Sequence, residues 1–197
     1  MAQLKREHHC FVQAVLARGY VEETEAKTMF RGISEQNHDR NFDTFWSAIN
    51  STIQLVDLKL QRLRYPYDNT TYIGIVNTLA DDPSKLATHF TPEQIAYFRT
   101  LMERIATDED GGVSGLDSRT ALNLSVTSTS ATQGTQAAKK LTIGEKEVLL
   151  QQLSADGWLH SDRGTIKLGV RTFLELGTYL HSLELSERTK ELWADLI

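Results

Sequence analysis

The chain has 197 residues, 40% of them hydrophobic and 24% charged, with a formal net charge of −5. That is the composition of a globular protein with room for one large or two small domains. Its apolar runs fall far short of the roughly 20 residues of a membrane-spanning helix, and its opening, MAQLKREHHC, has no apolar stretch of the secretory kind. A lone cysteine excludes an internal disulfide and any multi-cysteine zinc site within these residues. A reducing compartment, cytosol or nucleus, is therefore expected, and the negative charge offers phosphate no overall attraction.

In chain order, His8–Arg18 spaces Phe11, Val12, Val15 and Leu16 for a short helix that Gly19 ends. Glu22–Phe30 follows, with Glu22, Glu23 and Glu25 in a first turn whose dipole favours acids. Asp43 is the expected N-cap of a third helix burying Phe45, Trp46, Ile49, Ile53 and Val56. A hairpin is expected next: Leu58–Arg64, a turn over Tyr65–Asn69, and Thr71–Asn77. Three helices and then a hairpin is winged-helix order. The stretch Asp81-Asp82-Pro83-Ser84 marks a junction, which bounds a first domain at residues 1–80.

The second unit, 81–185, opens on Thr91, Pro92 and Gln94, an N-cap, a first-position proline and a capping box. Ile95, Phe98, Met102 and Ile105 carry that helix to Ala106, and Ser118–Leu124 predicts another. Residues 125–138 (SVTSTSATQGTQAA) have the composition of a flexible loop. Thr142–Leu176 then holds the most regular pattern in the chain. Leu149, Leu150 and Leu153 share one helical stripe, Gly157 ends the helix, and Trp158-Leu159-His160 starts a strand. Ser161–Gly164 is turn chemistry; Ile166 and Leu168 alternate on the return strand. After Gly169, helical spacing resumes at Val170, Phe173, Leu174, Gly177 and Leu180. The expected fold class is α+β, mainly helical with small hairpins, as tandem winged helices; such domains dock onto nucleic acid or protein and seldom do chemistry.

Candidate chemistry is sparse. His8-His9-Cys10 resembles a ligand cluster, but neighbours on a helix point about 100° apart, so solvated histidines and a half-buried Cys10 are expected instead. Asp108–Gly112 fails the calcium-loop pattern, with Val113 and Arg119 at the positions that need glycine and glutamate. No phosphate-binding glycine motif occurs. No catalytic residue and no metal ligand is assigned. The stronger candidate is a basic first wing, where Lys59, Arg62 and Arg64 precede Tyr65 and Tyr67 and suit a phosphate backbone. The competing reading is an edge strand kept from aggregating by charge. Thr142–Leu176 carries a net charge of −1, which suits protein docking better than a DNA groove. Tyr97, Phe98, Trp158 and Phe173 are candidate anchors for a partner, or else core residues.

Tyr72–Asp110, with Val76-Asn77, Ser84-Lys85-Leu86-Ala87-Thr88 and the helix from Glu93 through Phe98 to Ile105, resembles the central segment of the non-SMC element 1 family. Members of this family are subunits of the structural-maintenance-of-chromosomes five/six complex. The likeness extends to His9–Glu23 and to Leu149–Leu168, so it covers most of the chain. It implies a non-catalytic assembly subunit of tandem winged helices, pairing with the MAGE-homology subunit (non-SMC element 3) and the kleisin (non-SMC element 4). It also implies a nuclear role in DNA repair and recombination, with no membrane contact. The family continues into a zinc-binding RING-like domain that supports ubiquitin ligase activity. With only Cys10 here, that zinc and that activity are expected outside these residues, and 186–197 is expected to be the helix leading toward them. A direct DNA-binding role through Lys59, Arg62 and Arg64 is the alternative from the residues themselves.

Overall fold

The computed structural model describes residues 4–33, 41–78, 90–126 and 140–194. The boundary expected at residues 80–81 and nearly all of the Ser/Thr-rich stretch lie outside the described residues. The fold is α+β. In the first unit, α1 (Arg6–Arg18), β1 (Tyr20–Glu22), α2 (Glu23–Ile33) and α3 (Phe42–Ile53) lead through a 3-10 turn (Gln54–Val56) into β2 (Leu58–Arg64) and β3 (Thr71–Asn77). The second unit repeats that order with α4 (Pro92–Ala106), β4 (Leu116–Asp117), α5 (Ser118–Asn123), α6 (Ile143–Ala155), β5 (Leu159–Asp162) and β6 (Thr165–Leu168). It adds α7 (Val170–Ser182) and α8 (Glu187–Leu192). Each unit has a three-stranded antiparallel sheet, ordered β1-β3-β2 and β4-β6-β5.

Local chemistry accounts for the element ends. The Thr91 side chain accepts from the Gln94 amide while Gln94 reaches back to the Thr91 amide, and Thr142 and Glu145 do the same for α6. Gly19 and Gly157 stop their helices at φ of 77°. The β5–β6 turn places Arg163 and Gly164 at φ of 47° and 82°, two left-handed residues as a tight hairpin requires. Two expectations shift. Asn41, not Asp43, caps α3, its side chain accepting from the Asp43 amide at 2.9 Å. Val56 is 65% exposed, because the 3-10 turn and left-handed Asp57 swing the chain away before the apolar stripe reaches it.

The two units have separate cores with a shared wall. Phe11, Val15, Phe30, Phe45 and Ile49 fill the first core, closed by Leu60 and Ile73 of the hairpin. Tyr97, Phe98, Leu153, Trp158, Phe173 and Trp193 fill the second, joined by Leu63, Tyr65 and Val76 of that same hairpin. Side chains alternate across a strand, so Leu60 and Ile75 face one core while Leu63 and Tyr72 face the other. The first hairpin is thus a layer between two hydrophobic cores.

Candidate interaction surface

The three basic residues of the first hairpin do not form one patch. Lys59 lies on the face turned toward the second unit, beside a groove lined by Leu174, Glu175 and His181. Arg62 and Arg64 fall on the other face. The Arg62 guanidinium is committed: it donates to Asp43 at 2.9 Å, lies 3.3 Å from Glu23, and stacks 4.6 Å from the Trp46 ring centroid. Arg64 is exposed on the edge strand and makes an interaction of its own. The single basic stripe expected along this wing is therefore corrected, since strand alternation divides it between two faces.

The tyrosines after it do not tip a free wing. The Tyr65 hydroxyl donates to the Leu168 carbonyl at 2.7 Å, and Tyr67 donates to the Gly111 carbonyl at 3.0 Å. Both rings meet Phe173 edge-on, at 5.8 and 5.7 Å. Burial raises both phenol pKa values, so each hydroxyl keeps the proton that it donates. Sequence reasoning missed this seam, although Leu63 and Val76 on the face opposite Leu60 and Ile73 were a signal that both sides of the hairpin are covered.

Tyr97, Phe98, Trp158 and Phe173 are all within 2% of complete burial. Tyr97 donates to the Ala121 carbonyl at 2.9 Å, Phe98 meets Trp158 at 6.1 Å, and Phe173 meets Trp193 at 5.1 Å. They organise the second core, the alternative to partner anchors that the sequence left open. Large apolar side chains exposed among the described residues lie elsewhere, at Leu55 and Val56 and, on α6, at Ile143 and Val148.

The His8-His9-Cys10 expectation is also corrected. His8 is buried and stacks on Phe45 at 4.6 Å, and Cys10 is exposed. No group of three or more His, Cys, Asp or Glu side chains is placed to hold an ion among the described residues. Around Asp108–Gly112 the acidic chemistry is structural. Burial pushes the Asp110 carboxyl up, but hydrogen bonds from Ser114, Gly112 and Val113 outweigh it and lower its pKa. The Asp110 oxygens accept from the Gly112 and Ser114 amides at 3.0 and 2.8 Å. Ser186 and Thr189 of the α8 N-terminus reach the adjoining carbonyls of Glu109 and Asp108.

Likeness to known proteins carries the most information about these surfaces. The family profile described as "Nse1 non-SMC component of SMC5-6 complex" matches residues 8–176. The chain belongs to this family. It is 28% identical to the non-structural maintenance of chromosomes element 1 homolog of Xenopus tropicalis over 183 residues, 90% of this chain and 63% of that protein. It is also 28% identical to the Homo sapiens homolog over 178 residues, 88% of this chain and 62% of that protein. The chain thus spans less than two thirds of these relatives. Among solved structures, a chain of the "Nse1-Nse3-Nse4 complex" superposes with a TM-score of 0.76 at 25% identity, covering 92% of this chain and 76% of that one. The Nse1 fold therefore extends across both units and their shared hairpin.

Proposed function

We propose that this chain is a non-catalytic assembly subunit of an SMC5-6 complex that acts in the nucleus in DNA repair and recombination. Its partners are the MAGE-homology subunit Nse3 and the kleisin Nse4. The observation that carries this reading is likeness over 92% of the chain to a chain of the Nse1-Nse3-Nse4 complex. The seam between the units supports it, because Tyr65 and Tyr67 tie the first hairpin to the second unit and so join two small cores. In this reading zinc and any ubiquitin transfer belong to sequence outside these residues. Direct reading of DNA by the first hairpin is disfavoured, since Arg62 is held by Asp43, Glu23 and Trp46 and Lys59 stands on the opposite face.

Co-expression with the Nse3 counterpart of the same organism tests the proposal. The expected result is a 1:1 complex that survives size-exclusion chromatography at moderate salt. A chain that elutes as a monomer beside a folded Nse3 counterpart would sink the reading.

A further inference from the structure

An open cleft of about 360 Å³ lies where the tip of the first hairpin meets the second unit, with Tyr20, Tyr65, Tyr72, Asp68 and Lys167 among its walls. The tyrosine rings stand nearly at right angles, Tyr72 lying 5.6 Å from Tyr20 at 84° and 6.0 Å from Tyr65 at 86°. Their hydroxyls are largely spent: Tyr65 donates to Leu168 and Tyr72 donates to Asp68 at 3.2 Å. Ring surface and a carboxylate remain for a ligand. Asp68 accepts from the Thr70 amide at 2.7 Å, which fixes its direction, and each carboxylate oxygen keeps a lone pair. It makes no ion pair among the described residues.

Among the described residues the same combination occurs at three further places, each filled by an arginine. Arg62 lies over Trp46 and pairs with Asp43; Arg171 lies 4.3 Å over Trp158 and pairs with Glu175; Arg99 lies 5.1 Å over Tyr179 and pairs with Glu103. A guanidinium suits such a site because its flat face stacks on an aromatic ring while its edge forks onto a carboxylate. Lys167 lines the same cleft, but its ammonium lies over Tyr67, another of the walls, 5.6 Å from that ring, and among the described residues it pairs with neither Asp68 nor the Tyr20 and Tyr72 rings. Burial, and after it the Asp68 charge, push the Tyr72 phenol up to about 12, so this hydroxyl keeps the proton that it donates to Asp68.

We propose that the cleft receives an arginine side chain from a segment of a partner protein, its guanidinium packed against the Tyr20 and Tyr72 rings and paired with Asp68. The site joins β1, the first hairpin and the second unit, so it exists only when the two units are docked. It does not depend on which subunit supplies the arginine, and its failure would leave the assembly role standing.

The probe is the peptide acetyl-Gly-Arg-Gly-amide, compared with the same peptide carrying citrulline, which has the shape of arginine without its charge. Binding to the full 197-residue chain is followed by NMR at 150 mM salt, using the Tyr20 and Tyr72 ring signals and the Gly157 and His160 amides. The expected result is saturable shifts at those positions for the arginine peptide, with affinity at least tenfold weaker for citrulline. Asp68→Asn, which keeps an oxygen for the Thr70 amide, should weaken the arginine peptide by a similar factor. Equal binding of the citrulline peptide to the unaltered chain would overturn the proposal without recourse to any variant. So would shifts scattered over the acidic surface and unchanged by Asp68→Asn. Tighter binding of a phosphoserine peptide at Lys167 and His160 would reassign the cleft to an anion.

Discussion

His8 shows how one side chain can be misjudged from its neighbours in sequence. Beside His9 and Cys10 it resembles part of a ligand cluster, yet its Nδ1 accepts the Lys5 amide at 3.0 Å and its ring stacks on Phe45. Burial lowers its pKa below the ordinary 6.5, because the charged ring would lose water, and the nearby Lys5 and His9 charges push the same way. The folded chain therefore takes up this proton less readily than the unfolded chain. The stability that the neutral ring provides is complete above pH 6.5 and drains away as the pH falls through the lowered value. His8→Gln keeps an acceptor at the third helical position but loses the stack, at a cost of about 1 kcal/mol at pH 7.5. Urea denaturation at pH 7.5 and 5.5 should show the unaltered chain losing more stability between the two than the variant does. Equal losses would mean that His8 is not the titrating group. Arg62 carries the opposite lesson. The sequence shows its charge, but Asp43, Glu23 and Trp46, which engage that charge, come together only in the fold.

Element ends were legible because the groups that set them are close in sequence. The Thr91–Gln94 box, the stops at Gly19 and Gly157 and both hairpins could be placed from sequence. Strands β1 and β4 could not, since strands of three and two residues are too short to show a period of two. Gly169 lies between these cases. Its place after Leu168 reads as a strand break, but its φ is ordinary and the constraint is tertiary. A Cβ there would lie 2.1 Å from the Gly157 carbonyl oxygen, where the base of the second hairpin is pinched together. The amide of Gly169 donates to Trp158 and that of Arg171 to Gly157, so neither backbone can withdraw cheaply. Gly169→Ala should cost about 3 kcal/mol, the upper range for overpacking a rigid site. Gly144→Ala, in the first turn of α6 with open space around it, should gain up to about 1 kcal/mol by favouring the helix. Thermal unfolding of both variants checks the pair, and a Gly169→Ala chain as stable as the parent would mean that the pinch relaxes.

At the scale of the molecule, the hairpin between the cores decides whether the two units behave as one. Each core is small, and the first borrows Leu60 and Ile73 from strands whose other face carries Leu63 and Val76 into the second. Tyr65 is the tightest link, its hydroxyl bonded across the seam to Leu168 within a ring cluster that includes Tyr67, Tyr72 and Phe173. Removing that hydroxyl leaves the Leu168 carbonyl buried without the bond, so Tyr65→Phe should cost about 1–3 kcal/mol while keeping the ring packing. Truncating both rings, Tyr65→Ala with Tyr67→Ala, removes the packing too and should uncouple the units. The parent chain is expected to unfold in one cooperative transition with matching fluorescence and circular-dichroism midpoints. The double variant should show two. The probes are well placed for this test, because Trp46 packs against the first core and Trp158 and Trp193 lie within the second. A double variant that still melts in a single coincident transition would show that Leu63 and Val76 suffice to join the cores and that the tyrosines only trim the seam.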